Sequence, residues 1–184
     1  MRGKDVIDLA LADHASPLGT ILLVHDAAGH LRALDFHDYE TRMRRLLRLH
    51  YGAVSLTRAP APAHTIAALD RYFAGDFAAL EASPVATVGT PFQRTVWQAL
   101  RTIAVGETRT YGALAAQLGS PGAMRAVGLA NGANPVAIVV PCHRVIGANG
   151  TLTGFGGGLP RKQWLLDHEG AGNSPRLRFD PVVR

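Results

Sequence analysis

The chain has 184 residues, a formal net charge of +5 and 47% hydrophobic residues, which suits one ordinary domain or two small ones and excludes disordered and fibrous classes. Its single cysteine, Cys142, excludes an intramolecular disulfide and a cysteine-rich zinc site. No apolar run approaches the roughly 20 residues of a membrane helix. Acidic Asp5 and Asp8 fall where a secretory signal needs an unbroken apolar stretch, so the expected location is the cytoplasm.

In chain order, Val6–Leu11, Thr20–His25 and Leu31–Phe36 alternate as strands, with turn signals at Ser16-Pro17 and Ala28-Gly29. Asp38 is placed to cap a helix running to about His50, stopped by Gly52. Met43, Leu46 and Leu47 form its core face, and Arg42, Arg44, Arg45 and Arg48 a solvated one. A second helix runs from about Ala63 to Phe73, and residues 77–90 read as a linker. Strands followed by helices make a small α/β domain. Thr90-Pro91 then starts a helix, with Thr at the cap and Pro at the first position. Thr110 caps another through Leu118, with Leu114 and Leu118 inward, and Ser120-Pro121 begins a third that ends near Asn131-Gly132. Two short helices joined by a Gly-Ser-Pro turn read as a helix-turn-helix. Ala137–Val140 reads as a buried extended segment. Pro160 opens a last helix that ends at Glu169-Gly170 and buries Trp164 and Leu165, and the tail after it has no pattern.

Charge divides unevenly between the halves. Residues 1–88 hold 9 Lys and Arg against 10 Asp and Glu, whereas residues 89–184 hold 10 against 4. A basic half beside a neutral one suggests an anionic partner.

The chemistry-bearing stretch runs from Asn134-Pro135 to Pro141-Cys142-His143-Arg144-Val145. A lone cysteine is either a small buried hydrophobe or a reactive thiol. An imidazole takes its proton directly or through water, but neighbours on a strand point to opposite faces, so adjacency alone does not pair them. Glu169 lies four residues beyond Leu165, on the same helix face, in a last turn where the dipole disfavours an anion by roughly 0.3–1 kcal/mol. It is either a solvated helix end or the partner that orients a histidine. Around Arg125 lie Ala123, Ala126, Gly128, Ala130 and Gly132, small residues that suit close approach to another surface or tight packing within the domain. Gly154-Phe155-Gly156-Gly157-Gly158 lacks the ending of a P-loop and the spacing of a dinucleotide fingerprint, and reads as a loop bordering a pocket.

Pro141-Cys142-His143-Arg144-Val145 resembles the active-site signature of the O6-alkylguanine-DNA alkyltransferases, also called methylated-DNA–protein-cysteine methyltransferases. The resemblance extends through Thr90-Pro91-Phe92-Gln93 with Val96-Trp97, Gly106-Glu107-Thr108 before Tyr111, Arg125-Ala126-Val127-Gly128, Gly150–Gly154 and Trp164-Leu165-Leu166 before Glu169-Gly170. It covers about residues 75–170. Residues 1–74 resemble the family's variable N-terminal domain in outline.

The resemblance implies a ribonuclease-H-like α/β domain over 1–88 and a mostly helical, winged-helix-type domain with the helix-turn-helix over 89–184. It implies transfer of an alkyl group from guanine O6, and from thymine O4, of a flipped-out base to Cys142, once per molecule and irreversibly. His143 is implied as base through a water, Glu169 as its orienting partner, Asn134 as a brace of the active-site turn and Tyr111 as a group near the target phosphate. Arg125 is implied to fill the space of the everted base, with Ala126 and Gly128 against the minor groove. Val145, Phe155, Gly156, Gly157 and Lys162 are implied to line the substrate pocket. Phe155 and Gly156 stand where many relatives have tyrosine and serine, which implies tolerance of adducts bulkier than methyl.

The implied partner is double-stranded DNA containing O6-alkylguanine, bound by a monomer with no membrane, metal or organic cofactor. Without a cysteine before Cys142, the N-terminal zinc site of certain relatives is not expected, and His25, His30 and His37 are solvent or strand-face residues. Three other readings stand beside this one: a non-catalytic alkyltransferase-like binder, which lacks the acceptor cysteine; a Cys-His hydrolase; and a transcription regulator, which needs a further DNA-binding module.

Overall fold

Short aliphatic runs with alternating polarity give the first third its strands. The computed structural model describes residues 6–171, so the expectations for residues 1–5 and for the tail beyond 171 lie outside the described residues. It has β1 (Ile7–His14), β2 (Ile21–His25) and β3 (Leu31–Phe36), close to the predicted runs. A fourth strand, β4 (Val54–Arg58), has no counterpart among the predicted elements. Its five residues are half-buried or exposed, and so short a run shows no clear period. The sheet order is β3-β2-β1-β4, with β1 antiparallel to β2 and parallel to β4.

Side-chain alternation assigns the two faces of this sheet. Leu9, Leu11, Leu22, Val24 and Ala33 pack on Met43 and Leu47 of α1 (Glu40–Tyr51). On the other face His14 bonds Asp70 of α2 (Ala63–Phe73) at 2.8 Å. The predicted Asp38 cap does not form. Asp38 sits inside the 3-10 turn His37–Tyr39, and Tyr39 occupies the cap position without a side-chain hydrogen bond. Gly52 does stop the helix, with φ +80° and its N–H on the Arg48 carbonyl. Arg42 departs from the solvated face predicted for it. It bonds the buried Asp35 at 2.6 Å, because a buried carboxylate needs a charged partner.

The predicted linker is partly structured. Phe77–Leu80 is a 3-10 turn, and Val85 bridges to Leu31, with Leu31 N–H on the Pro84 carbonyl at 2.9 Å. Pro135–Ala137 pairs with Leu34 in the same way. Both segments cover the outer edge of β3, which would otherwise present unpaired backbone groups. Ala137–Val140 is buried as predicted, but it is not extended. Ile138 has φ +68°, and Val139 N–H bonds the Ala137 carbonyl at 2.8 Å, a γ-turn that a β-branched residue rarely adopts.

Thr90 caps α3 (Pro91–Leu100) in a full capping box with Gln93. Thr110 caps α4 (Tyr111–Gln117) by accepting from Ala113 N–H. A 3-10 turn at Pro121–Ala123 leads into α5 (Met124–Gly132). Leu114 is buried as predicted, whereas Leu118 is half-buried and Ala115 takes its place. Trp97 donates to the Ala130 carbonyl at 2.9 Å, fixing α3 to α5. The strands β5 (Arg109–Thr110) and β6 (Val145–Ile146) pair in parallel, and α6 (Leu159–His168) closes the unit. Trp164 is half-buried, not buried as predicted. It stacks on His168 at 4.7 Å, while Leu165 and Leu166 hold the core positions.

Contacts group the described residues into two compact units: 6–89 with Pro135–Val139, and Thr90–Asn134 with 140–171. Among the described residues no helix is long and apolar enough to cross a membrane.

Candidate active site

Pro141 sets the position of Cys142. Its φ of −80° and ψ of 64°, with Cys142 N–H on the Val140 carbonyl at 2.8 Å, make an inverse γ-turn. The turn delivers Cys142 as the first residue of the 3-10 turn Cys142–Arg144, just before β6. Two asparagines from the end of α5 hold the carbonyls on either side. Asn134 Nδ2 donates to Val140 at 2.9 Å, and Asn131 Nδ2 to Cys142 at 3.5 Å. Both asparagines are buried, so each bond also satisfies a polar group withdrawn from water.

His143 is fully buried. Its Nε2 bonds Glu169 Oε1 at 3.0 Å, while its Nδ1 has no hydrogen-bond partner in the protein. A carboxylate on Nε2 assigns the proton to that nitrogen, which leaves the Nδ1 lone pair to accept one. Glu169 caps α6, and Arg144 grips it with two nitrogens, Nε on Oε2 at 2.8 Å and Nη2 on Oε1 at 2.9 Å. The third guanidinium nitrogen, Nη1, bonds the Ile103 carbonyl at 2.6 Å. This bidentate geometry is the strong form of the pair.

The electrostatics follow from that clamp. Burial pushes the Glu169 carboxyl up, but the His143 charge and the hydrogen bonds from Arg144 and His143 outweigh it and hold Glu169 far below the usual carboxylate range. Burial pushes His143 down, against the pull of Glu169, and Arg144 and Lys162 push the same way as burial. His143 is therefore neutral at neutral pH and able to act as a base.

Lys162 is fully buried on α6, and its ammonium is committed to carbonyls: Val145 at 2.5 Å, Thr153 at 2.7 Å and Gly154 at 3.5 Å. Burial lowers it to about 8, and the charge of Cys142 works in the opposite direction. The same Thr153 carbonyl accepts from Tyr111 Oη at 3.3 Å. Burial raises the Tyr111 phenol, hydrogen bonding to Thr153 lowers it, and the charge of Cys142 raises it again. Tyr111 and Lys162 are thus both within electrostatic reach of the Cys142 sulfur.

The structure brings Cys142, His143, Glu169, Asn134, Tyr111, Val145 and Lys162 together within one unit. Phe155 meets the His143 ring edge-on at 6.5 Å between centroids. Gly157 is buried and bonds Arg161 Nη1 through its carbonyl at 3.1 Å, and Gly156 is half-buried. Arg125 and Ala126 are exposed on α5, whereas Gly128 packs against the Tyr111 ring, where an added Cβ would sit 3.8 Å from Cδ1. Gly128 therefore serves the approach of α5 to α4 within the domain. Sequence reasoning missed the clamp of Arg144 and the pinning by Asn131. Arg144 stood inside the signature pentapeptide, yet its contacts span 25 and 41 residues. Among the described residues no group of three or more His, Cys, Asp or Glu is arranged to hold a metal ion.

Comparison with known proteins gives the following likenesses. Residues 91–171 match the family model "6-O-methylguanine DNA methyltransferase, DNA binding domain", and residues 11–87 match "6-O-methylguanine DNA methyltransferase, ribonuclease-like domain". A Salmonella typhimurium protein named methylated-DNA--protein-cysteine methyltransferase is 56% identical over 158 residues, 85% of this chain and 92% of the relative. A Mycobacterium bovis protein of the same name is 48% identical over 157 residues, 84% of this chain and 88% of that one. The crystal structure of Mycobacterium tuberculosis OGT in complex with DNA superposes with a TM-score of 0.73 at 41% identity, covering 91% of this chain and 96% of its own.

Proposed function

Because this chain belongs to the 6-O-methylguanine DNA methyltransferase family, we propose that Cys142 is the alkyl-accepting residue of its reaction and that His143 and Glu169 drive it. The protein repairs DNA directly, by stoichiometric transfer of an alkyl group from guanine O6 to its own cysteine. Its N-terminal domain is ribonuclease-like and its C-terminal domain binds the DNA.

The observation that carries the residue assignment is the state of His143. It is buried, oriented by Glu169 through Nε2, and open at Nδ1. In the proposed step the Cys142 thiol gives its proton to Nδ1 through an intervening water, and the imidazolium that forms is stabilised by Glu169. The sulfur lone pair attacks the alkyl carbon in line. The S–C bond forms as the C–O6 bond breaks, and the electron pair of that bond stays on guanine, which takes up a proton. Tyr111 is the phenol placed to help that protonation. The product is a thioether with no carbonyl for water to attack, so the thiol is not restored and one molecule repairs one lesion.

Guanine O6 is buried by pairing, so the base must leave the stack at a cost of a few kcal/mol. Arg125, exposed on α5 beside Ala126, is proposed to occupy the space it leaves. Phosphate contacts supply most of the affinity and little sequence preference. We further propose that the functional division falls after residue 88, that the protein acts as a monomer, and that it works in the cytoplasm, where a reducing environment keeps its nucleophile a free thiol. A non-catalytic binder would need neither Cys142 nor the oriented imidazole beside it.

Counting lesions tests this reading. Wild type mixed with excess O6-methylguanine duplex should repair one lesion per chain and then stop. Cys142→Ala should bind the same duplex and repair none. Continued turnover by wild type, or repair by the variant, overturns the assignment.

A further inference from the structure

The sheet of the N-terminal unit ends on a strand whose outer edge is open. β4 is last in the order β3-β2-β1-β4. Ile7 N–H bonds the Ala53 carbonyl at 3.0 Å, and Ala59 N–H bonds the Leu11 carbonyl at 3.1 Å. In a parallel pair this phase turns the backbone groups of Ser55 and Thr57 toward β1 as well. Val54, Leu56 and Arg58 turn theirs outward, where they meet no backbone partner among the described residues. The opposite edge, on β3, is covered by bridges from Val85 and Val136. Side chains follow the same alternation. Val54 and Leu56 stand beside Ile7 and Leu9 and pack on the core beneath α1, yet both stay half-buried.

α1 borders this edge with positive charge. A cleft of about 100 Å³ lies between Val54 and Leu56 of β4 and Arg44, Leu47 and Arg48 of α1. That volume suits one side chain, since small-molecule sites run to about 300–1,000 Å³. Its floor is apolar and its rim is arginine. Arg44 and Arg48 are one helical turn apart, where like charges repel. Glu40 bonds Arg44 at 2.8 Å. Arg48, and Arg45 beside it, are exposed and have no ion pair among the described residues. The cleft thus joins three unmet features: an open strand edge, a partly bared aliphatic floor and uncompensated guanidinium charge.

We propose that the edge of β4 and the arginine rim beside it bind an acidic, extended peptide segment of a partner protein. The segment adds a strand to the sheet, pairing with the outward backbone groups of Val54, Leu56 and Arg58. One aliphatic side chain enters the cleft against Leu47, Val54 and Leu56. A carboxylate two residues along the segment, on the same face, reaches Arg48. Charge separates this occupant from the others. A second copy pairing edge to edge would set two arginine rims against each other. Duplex DNA would meet the arginines but leave the strand edge unpaired and the apolar cleft unfilled.

The test is a titration of the full-length protein, followed by amide shifts, with the peptide acetyl-Thr-Glu-Thr-Ile-Thr-Glu-Thr-amide. Val54, Leu56 and Arg58 should shift saturably, and more than Ser55 and Thr57, whose N–H groups already face β1. Replacing both glutamates of the peptide with glutamine, or using Arg48→Glu protein, should weaken binding by about tenfold or more. Arg48→Glu should still repair O6-methylguanine duplex at the wild-type rate. The absence of saturable shifts, shifts without that alternation, or unchanged affinity in the glutamine peptide or in Arg48→Glu overturns the proposal. The same pattern of shifts on concentrating the protein alone, marking a second copy, or on adding undamaged duplex, marking a phosphate surface, overturns it too.

Discussion

Replacing Glu169 with glutamine keeps the side chain's shape and removes its charge. In the folded protein that charge meets Arg144 at 2.8 and 2.9 Å and His143 at 3.0 Å. Glu169 is 5% exposed and Arg144 8%, so the guanidinium left behind is screened poorly by water. Breaking a buried pair in this way costs about 3–5 kcal/mol. At roughly 2–4 °C per kcal/mol for a chain of this size, the melting temperature should fall by about 6–20 °C. The sign with pH is fixed by the depressed carboxyl. The contribution of Glu169 is complete above its ordinary value of 4.5 and is lost as the pH falls below it. The stability gap between wild type and Glu169→Gln should therefore narrow in acid, as read by urea unfolding at neutral pH and near pH 4. The substitution also removes the anion that supports protonated His143, so single-turnover transfer should slow by about 100-fold or more. A melting temperature within about 1 °C of wild type, together with an unchanged transfer rate, would refute the clamp.

The remaining expectations concern three other side chains. Burial depresses His143 against the pull of Glu169, so its ring resonances should titrate below 6.5 and its contribution to stability should be lost as the pH falls through that range. A midpoint at or above 6.5 contradicts the assignment. Lys162 titrates at about 8 in the folded protein against 10.5 ordinarily, so the unfolded chain holds a proton that the folded one lacks between those values. The stability of wild type should rise relative to Lys162→Met by about 3 kcal/mol across that interval, and parallel urea midpoints for the two proteins would count against it. Arg125→Ala should slow repair of duplex DNA about tenfold or more beyond any effect on free O6-benzylguanine, because only the duplex requires the space of an everted base to be filled. Equal losses on both substrates would remove the finger role.

Local chemistry made much of this molecule legible. Thr90 with Pro91 and Gln93, and Thr110 before Tyr111, mark helix starts because the cap is a contact between residues three apart. Glu169 was readable as a carboxylate needing a partner, from its place at the disfavoured end of a helix. Features set by distant residues were not readable. Asp38 looked like a cap, but the chain enters α1 through a 3-10 turn one step later. Arg42 looked solvated until β3 supplied Asp35. The apolar run Ala137–Val140 reported its burial correctly, but pairing beside Leu34 and the γ-turn at Ile138 decided its path. Arg144 depends on Glu169 and Ile103, which no spacing rule connects to it.

The central claim is that one sulfur keeps the alkyl group. Peptide mass mapping after incubation with O6-methylguanine duplex measures that directly. The account predicts a gain of a single methyl confined to the peptide that carries Cys142, stable on prolonged incubation. A methyl on any other peptide, or its release with recovery of the thiol, would contradict it.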